Sequence, residues 1–327
     1  MASRGLFPIR KYSNAHLIYN PNAGRLRRDP QLVPNVVRVL EAAGHGITLR
    51  PTNAPQHATK LATECVGGCA DVILAAGGDG TINEIVNGMT GSEIPLGILP
   101  VGTANVLAME MGIGKDPVKA AAMLGDLEPR RISLGLARNE DGSPRRYFLV
   151  MAGAGLDAHI VANLDQDMKK KLGKGAYYVA GFQSLGRRLE ELEVEANGRR
   201  TRCSFALTSQ VRNYGGDLEI ALGASLLKNQ FESVLFESAS PWKYLTYLFG
   251  VITRRAAKID GVTVMPTRQL NLRPVNGETV RLQLDGEDAG LLPVAIEKVP
   301  QALTLLMPRA FLQKEQERAQ WTTSPTP

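Results

Sequence analysis

Cysteine, histidine and long apolar runs are all scarce in this chain of 327 residues. Its 3 cysteines, Cys65, Cys69 and Cys203, are too few for a disulfide framework and lack paired zinc-ligand spacing. The 4 histidines are also scattered without the spacing of a metal site. This scarcity favours inert thiols in a reducing compartment and argues against a disulfide-rich or zinc-dependent fold.

No apolar run approaches the roughly 18 residues that a membrane span requires. The best candidate, residues 244–252, is far shorter and is flanked by Lys243 and Arg254-Arg255. The N-terminal apolar residues 6–9 are too few for the core of a signal peptide. These absences predict a cytoplasmic protein.

The charges are nearly balanced, with 38 Lys and Arg against 32 Asp and Glu and a net charge of +6. A surplus of this size suits an anionic membrane, a nucleotide or a nucleic acid, and it does not choose among them. Hydrophobic residues make up 44% of the chain and charged residues 21%, which excludes a disordered, collagen-like or coiled-coil protein. The length predicts two domains of about 150 residues each.

Residues 1–130 alternate short β-type runs with helical patterns, which predicts an α/β domain built from parallel βαβ units. Strands are expected at 16–19, 47–49, 71–75 and 96–99. Helices are expected at 33–43, at 57–65, from Thr81 onward, near 104–111 and near 118–124.

From residue 131 strand-like runs dominate, and we predict a β-sandwich over 131–312 with helical insertions near 157–192 and 241–258. The runs lie at 131–137, 146–151, 200–208, 262–265, 279–284 and 303–307. Asn197-Gly198 and Asn276-Gly277 are typical of tight hairpin turns. The polar residues 313–327 predict a frayed, flexible tail.

The most informative motif is Gly77-Gly78-Asp79-Gly80-Thr81-Ile82-Asn83-Glu84, which follows an apolar strand and opens a helix. Three glycines before a helix N-terminus let the backbone approach an anion closely, and the free N–H groups favour phosphate. Asp79 would repel phosphate unless a cation intervenes, so a metal bound to the phosphates is expected. Thr81 and Glu84 also have the spacing of a capping box. The alternative is a plain strand–helix turn with an exposed Asp.

Two further loops follow predicted strands, Asn20-Pro21-Asn22-Ala23-Gly24-Arg25 after the first and Pro100-Val101-Gly102-Thr103-Ala104-Asn105 after the fourth. In a parallel sheet these loops leave the carboxyl ends of the strands, where open α/β sheets bind their ligands. Each alone is typical of an ordinary turn. Together with the glycine motif they predict one phosphate-binding crevice.

Two motifs lie in the second predicted domain. Gly153-Ala154-Gly155-Leu156-Asp157-Ala158 fits a dinucleotide pattern, but a long basic helical stretch follows it instead of a prompt second strand, so a dinucleotide fold is rejected. Asp285-Gly286-Glu287-Asp288 ends a strand run. Its carboxylates suit either a solvated turn or a hydroxyl-activating base with a magnesium ligand.

These five motifs, in this order over residues 14–310, resemble those of bacterial diacylglycerol kinase-like lipid kinases, whose superfamily includes sphingosine and ceramide kinases. The glycine motif alone is shared with NAD kinases and phosphofructokinases, whereas the five-part order is specific. The resemblance implies a parallel-sheet α/β domain like that of NAD kinase, a C-terminal β-sandwich, and ATP and Mg2+ bound between them. It also implies phosphorylation of a lipid hydroxyl, with diacylglycerol or a related bacterial lipid as the acceptor.

The resemblance assigns roles by position. The residues implied to meet ATP are Asn20, Pro21, Asn22, Ala23, Gly24, Thr52, Gly77, Gly78, Asp79, Gly80, Thr81, Asn83 and Thr103. Glu287, with Asp285 beside it, is implied to accept the proton of the lipid hydroxyl, and Asp79 to serve Mg2+ or the base. Asp157 matches a position that contacts the lipid headgroup in sphingosine-kinase relatives.

Two segments depart from the family pattern. Thr103-Ala104-Asn105-Val106 replaces an acidic or Asn-Asp ending, which puts the nucleotide contacts there in doubt. Leu227-Lys228-Asn229-Gln230-Phe231-Glu232 replaces an Asp-rich stretch that can hold a structural Mg2+ in relatives. We therefore predict that no second Mg2+ binds here and that the Lys228 ammonium pairs with Glu232 or another nearby acid.

A lipid acceptor implies peripheral contact with an anionic membrane surface at the inner face of the plasma membrane. Lys169-Lys170-Lys171 and a helix over 242–258 are candidates for that contact, the alternative for the helix being a position in the core. No nucleic-acid partner is expected, and a homodimer stays open. The alternative functions are a kinase of a soluble acceptor such as NAD and a non-catalytic lipid-binding regulator with the same fold.

Overall fold

The computed structural model describes residues 10–155, 189–214 and 218–323. The chain forms two compact units, the first made of Met1–Gly102, Met111–Arg131 and Leu303–Pro327 and the second of Thr103–Glu110 and Ile132–Ala302. The predicted limits at residues 130 and 312 therefore differ from these units in two places, because Thr103–Glu110 packs with the second unit and Leu303–Pro327 with the first.

The first unit is an α/β layer structure, as predicted. Its parallel strands are β1 (Ala15–Tyr19), β2 (Ile47–Pro51), β3 (Val72–Gly77) and β4 (Pro95–Pro100), in the order β2-β1-β3-β4. Every residue of β3 is buried, which is the burial expected of a central parallel strand covered on both faces. The helices are α1 (Gly24–Arg28), α2 (Leu32–Ala42), α3 (His57–Gly67), α4 (Asp79–Met89) and α6 (Pro117–Ala122).

Helices α3 and α4 pack closely because Gly88 has no side chain. A Cβ atom at Gly88 would lie 2.3 Å from the carbonyl oxygen of Thr59 and 2.8 Å from the Cβ of Ala62. The Glu84 carboxylate accepts a hydrogen bond of 3.1 Å from the Ala58 N–H, which ties the start of α3 to α4. The predicted capping box is therefore wrong, because the Glu84 carboxylate binds a neighbouring helix and not the N-terminus of its own helix.

The second unit is a β-sandwich, as predicted. One sheet has the order β14-β13-β10-β7-β16-β17, and the other contains β18-β15-β8-β9. The first of these sheets uses β7 (Met151–Gly155), β10 (Phe205–Ser209), β13 (Phe231–Phe236), β14 (Val262–Thr267), β16 (Arg281–Leu284) and β17 (Glu287–Leu291). The second uses β8 (Leu192–Ala196), β9 (Arg199–Cys203), β15 (Gln269–Pro274) and the start of β18 (Val294–Met307).

Several further elements complete the two units. They are β5 (Glu128–Arg138), β6 (Pro144–Phe148), β11 (Asn213–Tyr214), β12 (Leu218–Glu219), α5 (Val106–Glu110) and α7 (Pro241–Ile252). Short 3-10 turns cover Leu124–Asp126 and Ala256–Lys258. The predicted insertion near 157–192 falls almost wholly outside the described residues. The other, near 241–258, is confirmed as α7 followed by the Ala256–Lys258 turn.

The side chains between the two sheets form one apolar core. Leu192 and Val294 come from one sheet, whereas Phe231 and Leu282 come from the other, and all four are buried. The polar–apolar alternation of β15 buries Leu270 and Leu272 in the same cluster. That strand was missed in the sequence because only two apolar residues mark it.

The structure divides two of the predicted strands. The run 146–151 breaks at Leu149-Val150, where the chain passes from β6 to β7, and the run 200–208 breaks at Ser204. Ser204 separates β9 from β10, which belong to different sheets, and its N–H donates to the Phe236 carbonyl oxygen at 2.9 Å. Neither break falls at a Gly or Pro, so the sequence carries no turn signal at either position.

One of the two predicted hairpin turns is confirmed. Asn197 and Gly198 have φ values of 52° and 73° and join β8 to β9, the pair of positive angles that a two-residue hairpin requires. Asn276 and Gly277 have similar positive angles. Their hairpin is nevertheless wrong, because the flanking strands β15 and β16 belong to different sheets.

The predicted tail is wrong over most of its length. Residues Arg309–Thr323 form α8, a helix whose first turns bury Phe311, Leu312 and Glu315. Glu315 accepts a hydrogen bond of 3.0 Å from Arg318 one turn later. The sequence did not predict this helix because most of its residues are polar. Only the three buried positions pack it against the unit.

The core of the second unit also contains a buried lysine, Lys298, on β18. Its Nζ donates to the Gln210 side-chain oxygen and lies 4.6 Å from the centre of the Phe231 ring. Burial lowers the pKa of the Lys298 ammonium to about 7. In the unfolded chain the group keeps its ordinary pKa of 10.5, so between these values the unfolded state binds more protons than the folded state.

This difference predicts a pH-dependent stability. From pH 7.5 to 9.5 the free energy of unfolding should rise in the wild type relative to Lys298→Met by about 1.4 kcal/mol per pH unit, because the folded state no longer carries a buried charge. Urea unfolding at several pH values measures this difference. Lys119→Met, at an exposed position, is the matched control and should track the wild type. A constant difference between the wild type and Lys298→Met would contradict the prediction.

Candidate active site

In the first unit, the loops that follow the parallel strands come together at one edge of the sheet. The Val101 N–H donates to the Gly77 carbonyl oxygen at 3.3 Å, and a Cβ atom at Gly78 would lie 3.4 Å from the Gly102 Cα. The loops after β3 and β4 are therefore packed backbone against backbone. A side chain on Gly77 would lie 2.4 Å from the Cβ of Thr81, so glycine is required for α4 to begin here.

The loop after β1 reaches the same edge. The Asn20 side-chain oxygen accepts the Asn22 N–H at 2.9 Å, and the Asn20 carbonyl oxygen accepts the Ala23 N–H at 3.0 Å. Arg25 donates to the carbonyl oxygen of Pro100 at 3.5 Å, which links this loop to the one after β4. The buried Thr52 follows β2, and its N–H donates to the Tyr19 carbonyl oxygen at 2.8 Å. The predicted loops thus share one edge, and phosphate binding there stays a prediction.

Helix α4 begins at Asp79 with Gly78 as its N-cap, and no side chain caps it. Asp79 is the first helical residue, and one of its carboxylate oxygens is buried. Asn83 is buried one turn later and accepts a hydrogen bond of 3.3 Å from Asn87. The first turn therefore places backbone N–H groups and one carboxylate at the edge where the loops meet.

In the second unit, Asp285 is a buried carboxylate that binds the backbone. Its oxygens accept the N–H groups of Leu149, Val150 and Met151 at 2.8, 2.7 and 3.0 Å. Leu149 and Val150 lie between β6 and β7, and Met151 is the first residue of β7. Asp285 therefore holds the entry of a central strand to the end of β16.

Glu287 lies two residues further on and is exposed. Asp285 and Gly286, with φ values of 52° and 81°, form the hairpin turn that pairs Leu284 with Glu287. The Gly286 N–H donates to the Gln283 side-chain oxygen at 2.7 Å, which fixes the turn further. The turn presents the Glu287 carboxylate to solvent, whereas the Asp285 carboxylate is occupied by amides and is not placed to accept a substrate proton.

The segment after the Pro100 loop carries an ion pair that we did not predict. Glu110, at the end of α5, lies 2.8 Å from the Arg212 guanidinium, and both side chains are buried. The same carboxylate accepts the side-chain amide of Asn213 at 2.6 Å and the backbone N–H groups of Arg212 and Asn213 at 3.3 and 3.2 Å. The ion pair fixes the segment that begins at the exposed Thr103. A lone acidic residue within the apolar run 106–111 was the only signal in the sequence.

The Lys228 segment forms a contact different from the one predicted. Lys228 Nζ donates to the Gly223 carbonyl oxygen at 2.8 Å, and the Glu232 carboxylate accepts the Gly223 N–H at 2.7 Å. Burial raises the pKa of Glu232, which the amide contact and the nearby ammonium partly oppose. Lys228 and Glu232 thus hold the same glycine from both sides instead of pairing with each other. One carboxylate beside an ammonium does not fit a structural Mg2+. That no second Mg2+ binds here stays a prediction.

No group of three or more His, Cys, Asp or Glu side chains in the described residues could hold a metal ion. The edge near Asp79 does fit Mg2+ in another way, because this ion commonly binds one or two carboxylates together with substrate phosphates. Asp157 and Lys169-Lys170-Lys171 lie outside the described residues. No described helix has the length and apolar character needed to cross a bilayer.

Comparison with known proteins matches both units. Residues 14–137 match the diacylglycerol kinase catalytic domain, and residues 150–307 match the YegS C-terminal NAD kinase beta sandwich-like domain. A diacylglycerol kinase of Bacillus subtilis is 29% identical over 90% of this chain and 96% of its own length. One of Staphylococcus haemolyticus is 26% identical over 92% of this chain and 90% of its own.

Crystal structures of Bacillus anthracis proteins share the fold. One has a TM-score of 0.76 at 20% identity, covering 95% of this chain and 100% of its own. Another, of a diacylglycerol kinase, has a TM-score of 0.67 at 17% identity over 92% and 98% of the two chains. At these identities the likeness concerns the fold alone.

An α/β unit with converging loops, joined to a sandwich of this type, defines the class of kinases built on the diacylglycerol kinase catalytic domain. The chain belongs to the bacterial diacylglycerol kinase-like lipid kinase family and is a phosphotransferase with an alcohol group as acceptor. Its substrate is a lipid.

The contacts of Asp285 predict a large effect on stability. Asp285→Asn keeps the volume and tolerates a positive φ, but it replaces one of the two acceptor oxygens with an N–H donor. We expect the free energy of unfolding to fall by about 3 kcal/mol, because buried amides lose their acceptor. Urea denaturation measures the fall. Asp288→Asn, whose exposed carboxylate lies 3.4 Å from Arg281, is the control and should change stability by less than about 0.5 kcal/mol. Equal stability of the two variants would contradict the prediction.

Proposed function

We propose that this protein transfers the γ-phosphate of ATP to the free hydroxyl of diacylglycerol or a related bacterial lipid. The observation that carries the proposal is the exposed Glu287 carboxylate on a turn that Asp285 fixes to the backbone, because it provides a positioned base for a hydroxyl. The family of the chain supports a lipid as acceptor.

The nucleotide phosphates would bind at the loop edge of the first unit. Close backbone packing at Gly77, Gly78 and Gly102 suits an anion that meets main-chain N–H groups rather than side chains. The proposed contacts are Asn20, Pro21, Asn22, Ala23, Gly24, Thr52, Gly77, Gly78, Asp79, Gly80, Thr81, Asn83 and Thr103. Glu110 and Arg212 act on Thr103 indirectly, because their ion pair fixes the end of its segment.

Asp79 would hold Mg2+ on the phosphates, where the ion offsets their negative charge during transfer. In the reaction the acceptor oxygen forms a bond to the γ-phosphorus, the bond to the β–γ bridging oxygen breaks, and ADP leaves. Glu287 receives the proton of the hydroxyl as that oxygen attacks. Asp285 positions Glu287 through the hairpin, and the proposed headgroup contact of Asp157 stays a prediction.

Because a diacylglycerol acceptor lies within a bilayer, we also propose that the protein works in peripheral contact with the inner face of the plasma membrane. A positively charged surface would favour a leaflet that contains anionic lipids, and the net charge of +6 agrees in sign. A homodimer remains an additional proposal for the assembly.

Radiolabelled ATP incubated with the protein, Mg2+ and mixed vesicles that contain diacylglycerol tests the reaction. We expect the label in the organic phase, in a lipid with one more phosphate group. NAD is included in a parallel sample as a soluble acceptor. Label found only in NAD, in the aqueous phase, would contradict the assignment of a lipid acceptor. If the label reached no acceptor, the proposed phosphotransferase activity would be contradicted.

The role of Glu287 predicts a specific kinetic change. Glu287→Gln should lower kcat at least 100-fold and leave KM for ATP within about twofold, because a base acts in the transition state and does not hold the nucleotide. Steady-state kinetics on mixed micelles measures both constants. Asp288→Asn removes the neighbouring exposed carboxylate and should retain the wild-type kcat. Wild-type turnover by Glu287→Gln would refute the assignment of the base.

A further inference from the structure

Helix α7 (Pro241–Ile252) has two apolar faces, of which the second unit covers one. Tyr247 and Val251 are buried, and the Tyr247 ring packs against Phe236 with 5.1 Å between the ring centres. A Cβ atom at Gly250 would lie 2.1 Å from Ile259, so the helix is held closely against the chain that follows it. One face of the helix is therefore buried against the second unit.

The other side of α7 faces solvent with large apolar residues. The exposed fractions are 77% for Trp242, 66% for Phe249 and 56% for Ile252, and the half-buried Leu245 lies among them. Their spacing of three, four and three residues places all four on one side of a helix. Among the described residues, Trp242, Phe249 and Ile252 are the most exposed large apolar side chains, since the others are at most 45% exposed.

Basic residues adjoin this apolar stripe. Arg255 and Lys258 are exposed and form no ion pair with any other described residue. Arg254 lies 2.9 Å from Glu219, and Lys243 lies 3.5 Å from Asp260. Among the described residues these four cations meet three carboxylates, the third being Glu237 near Tyr247, so the surroundings of the stripe stay positive. We define Trp242, Leu245, Phe249 and Ile252 as the α7 stripe.

We propose that the α7 stripe inserts into the headgroup region of an anionic bilayer, with Arg255 and Lys258 against the lipid phosphates. The proposal deepens the proposed function, on which it rests for a substrate in a membrane. An exposed Trp with neighbouring Phe and Ile is suited to the boundary between headgroups and acyl chains, and 12 residues are too few to span a bilayer. The helix therefore lies along the surface.

The same charges argue against a second copy of the chain as the occupant. A two-fold interface places each patch against its own copy, so the basic groups beside the stripe would face one another. An anionic lipid surface complements both the apolar stripe and the cations. The lipid surface is therefore the occupant that the observations favour.

Trp242 supplies the probe for the test. The chain has 2 tryptophans, so Trp321→Phe leaves Trp242 as the only one. Its emission is recorded while vesicles of phosphatidylcholine with phosphatidylglycerol are added. We expect a saturable blue shift, with binding weakened about tenfold between 0.1 and 0.5 M salt and much weaker on pure phosphatidylcholine.

Variants in the same background locate the contact. Phe249→Ser and Ile252→Ser should each weaken vesicle binding about tenfold, because each removes one inserted apolar side chain. Leu49→Ser changes an exposed leucine of the first unit and should bind vesicles as the parent does. Equal binding by all three variants, or no blue shift with anionic vesicles, would overturn the proposal.

Two further measurements separate this proposal from its alternatives. With a short-chain diacylglycerol dissolved below its aggregation limit, Phe249→Ser should keep the kcat of the parent, whereas on vesicles its rate should fall about tenfold. Blue-shifted vesicle binding without any phosphorylated lipid would refute the proposed function and leave the docking helix supported. A dimer in sedimentation equilibrium that Phe249→Ser dissociates, together with no vesicle binding, would assign the stripe to a second copy and overturn the proposal.

Discussion

The geometry of the second unit depends on the burial of one carboxylate. Asp285 has left water, which is costly for a charge unless hydrogen bonds replace its hydration. Three consecutive amides at Leu149, Val150 and Met151 replace it. The same bonds satisfy the N–H groups of Leu149 and Val150 between two strands and of Met151 at the start of β7. The same hydrogen bonds thus offset the desolvation of the carboxylate and satisfy buried N–H groups. They also fix the turn that carries Glu287.

Two other sets of charged side chains in this unit also bind backbone groups. Glu110 meets Arg212 and two backbone N–H groups, while Glu232 and Lys228 hold opposite ends of the same glycine residue. In each case a charged side chain binds backbone outside the two sheets of the sandwich. The charges that remain on the surface, Glu287 above all, are consequently the ones available to a substrate.

The fold was more predictable from the sequence than the site. Buried parallel strands such as β3 are written as continuous apolar runs, so the α/β unit and the convergence of its loops followed from local pattern. Hairpin pairing did not, because Asn276-Gly277 has the angles of a hairpin turn and yet connects two different sheets. Glu84 has the spacing of a capping residue but binds α3, since tertiary contacts decide between two acceptable partners. Helix α8 is held by few buried positions and gives little periodic signal.

The two acidic residues of the Asp285 turn and the two faces of α7 show the same limit of a sequence. Asp285 and Glu287 are chemically alike and two residues apart, so their spacing cannot tell an anchor from a base; burial separates them. Helix α7 is apolar around most of its circumference, which periodicity alone interprets as a core helix. Only the structure shows that Tyr247 and Val251 occupy the core while Trp242 and Phe249 do not. In both places function follows from the side chain that folding leaves exposed, because the buried partner is already used to hold the fold.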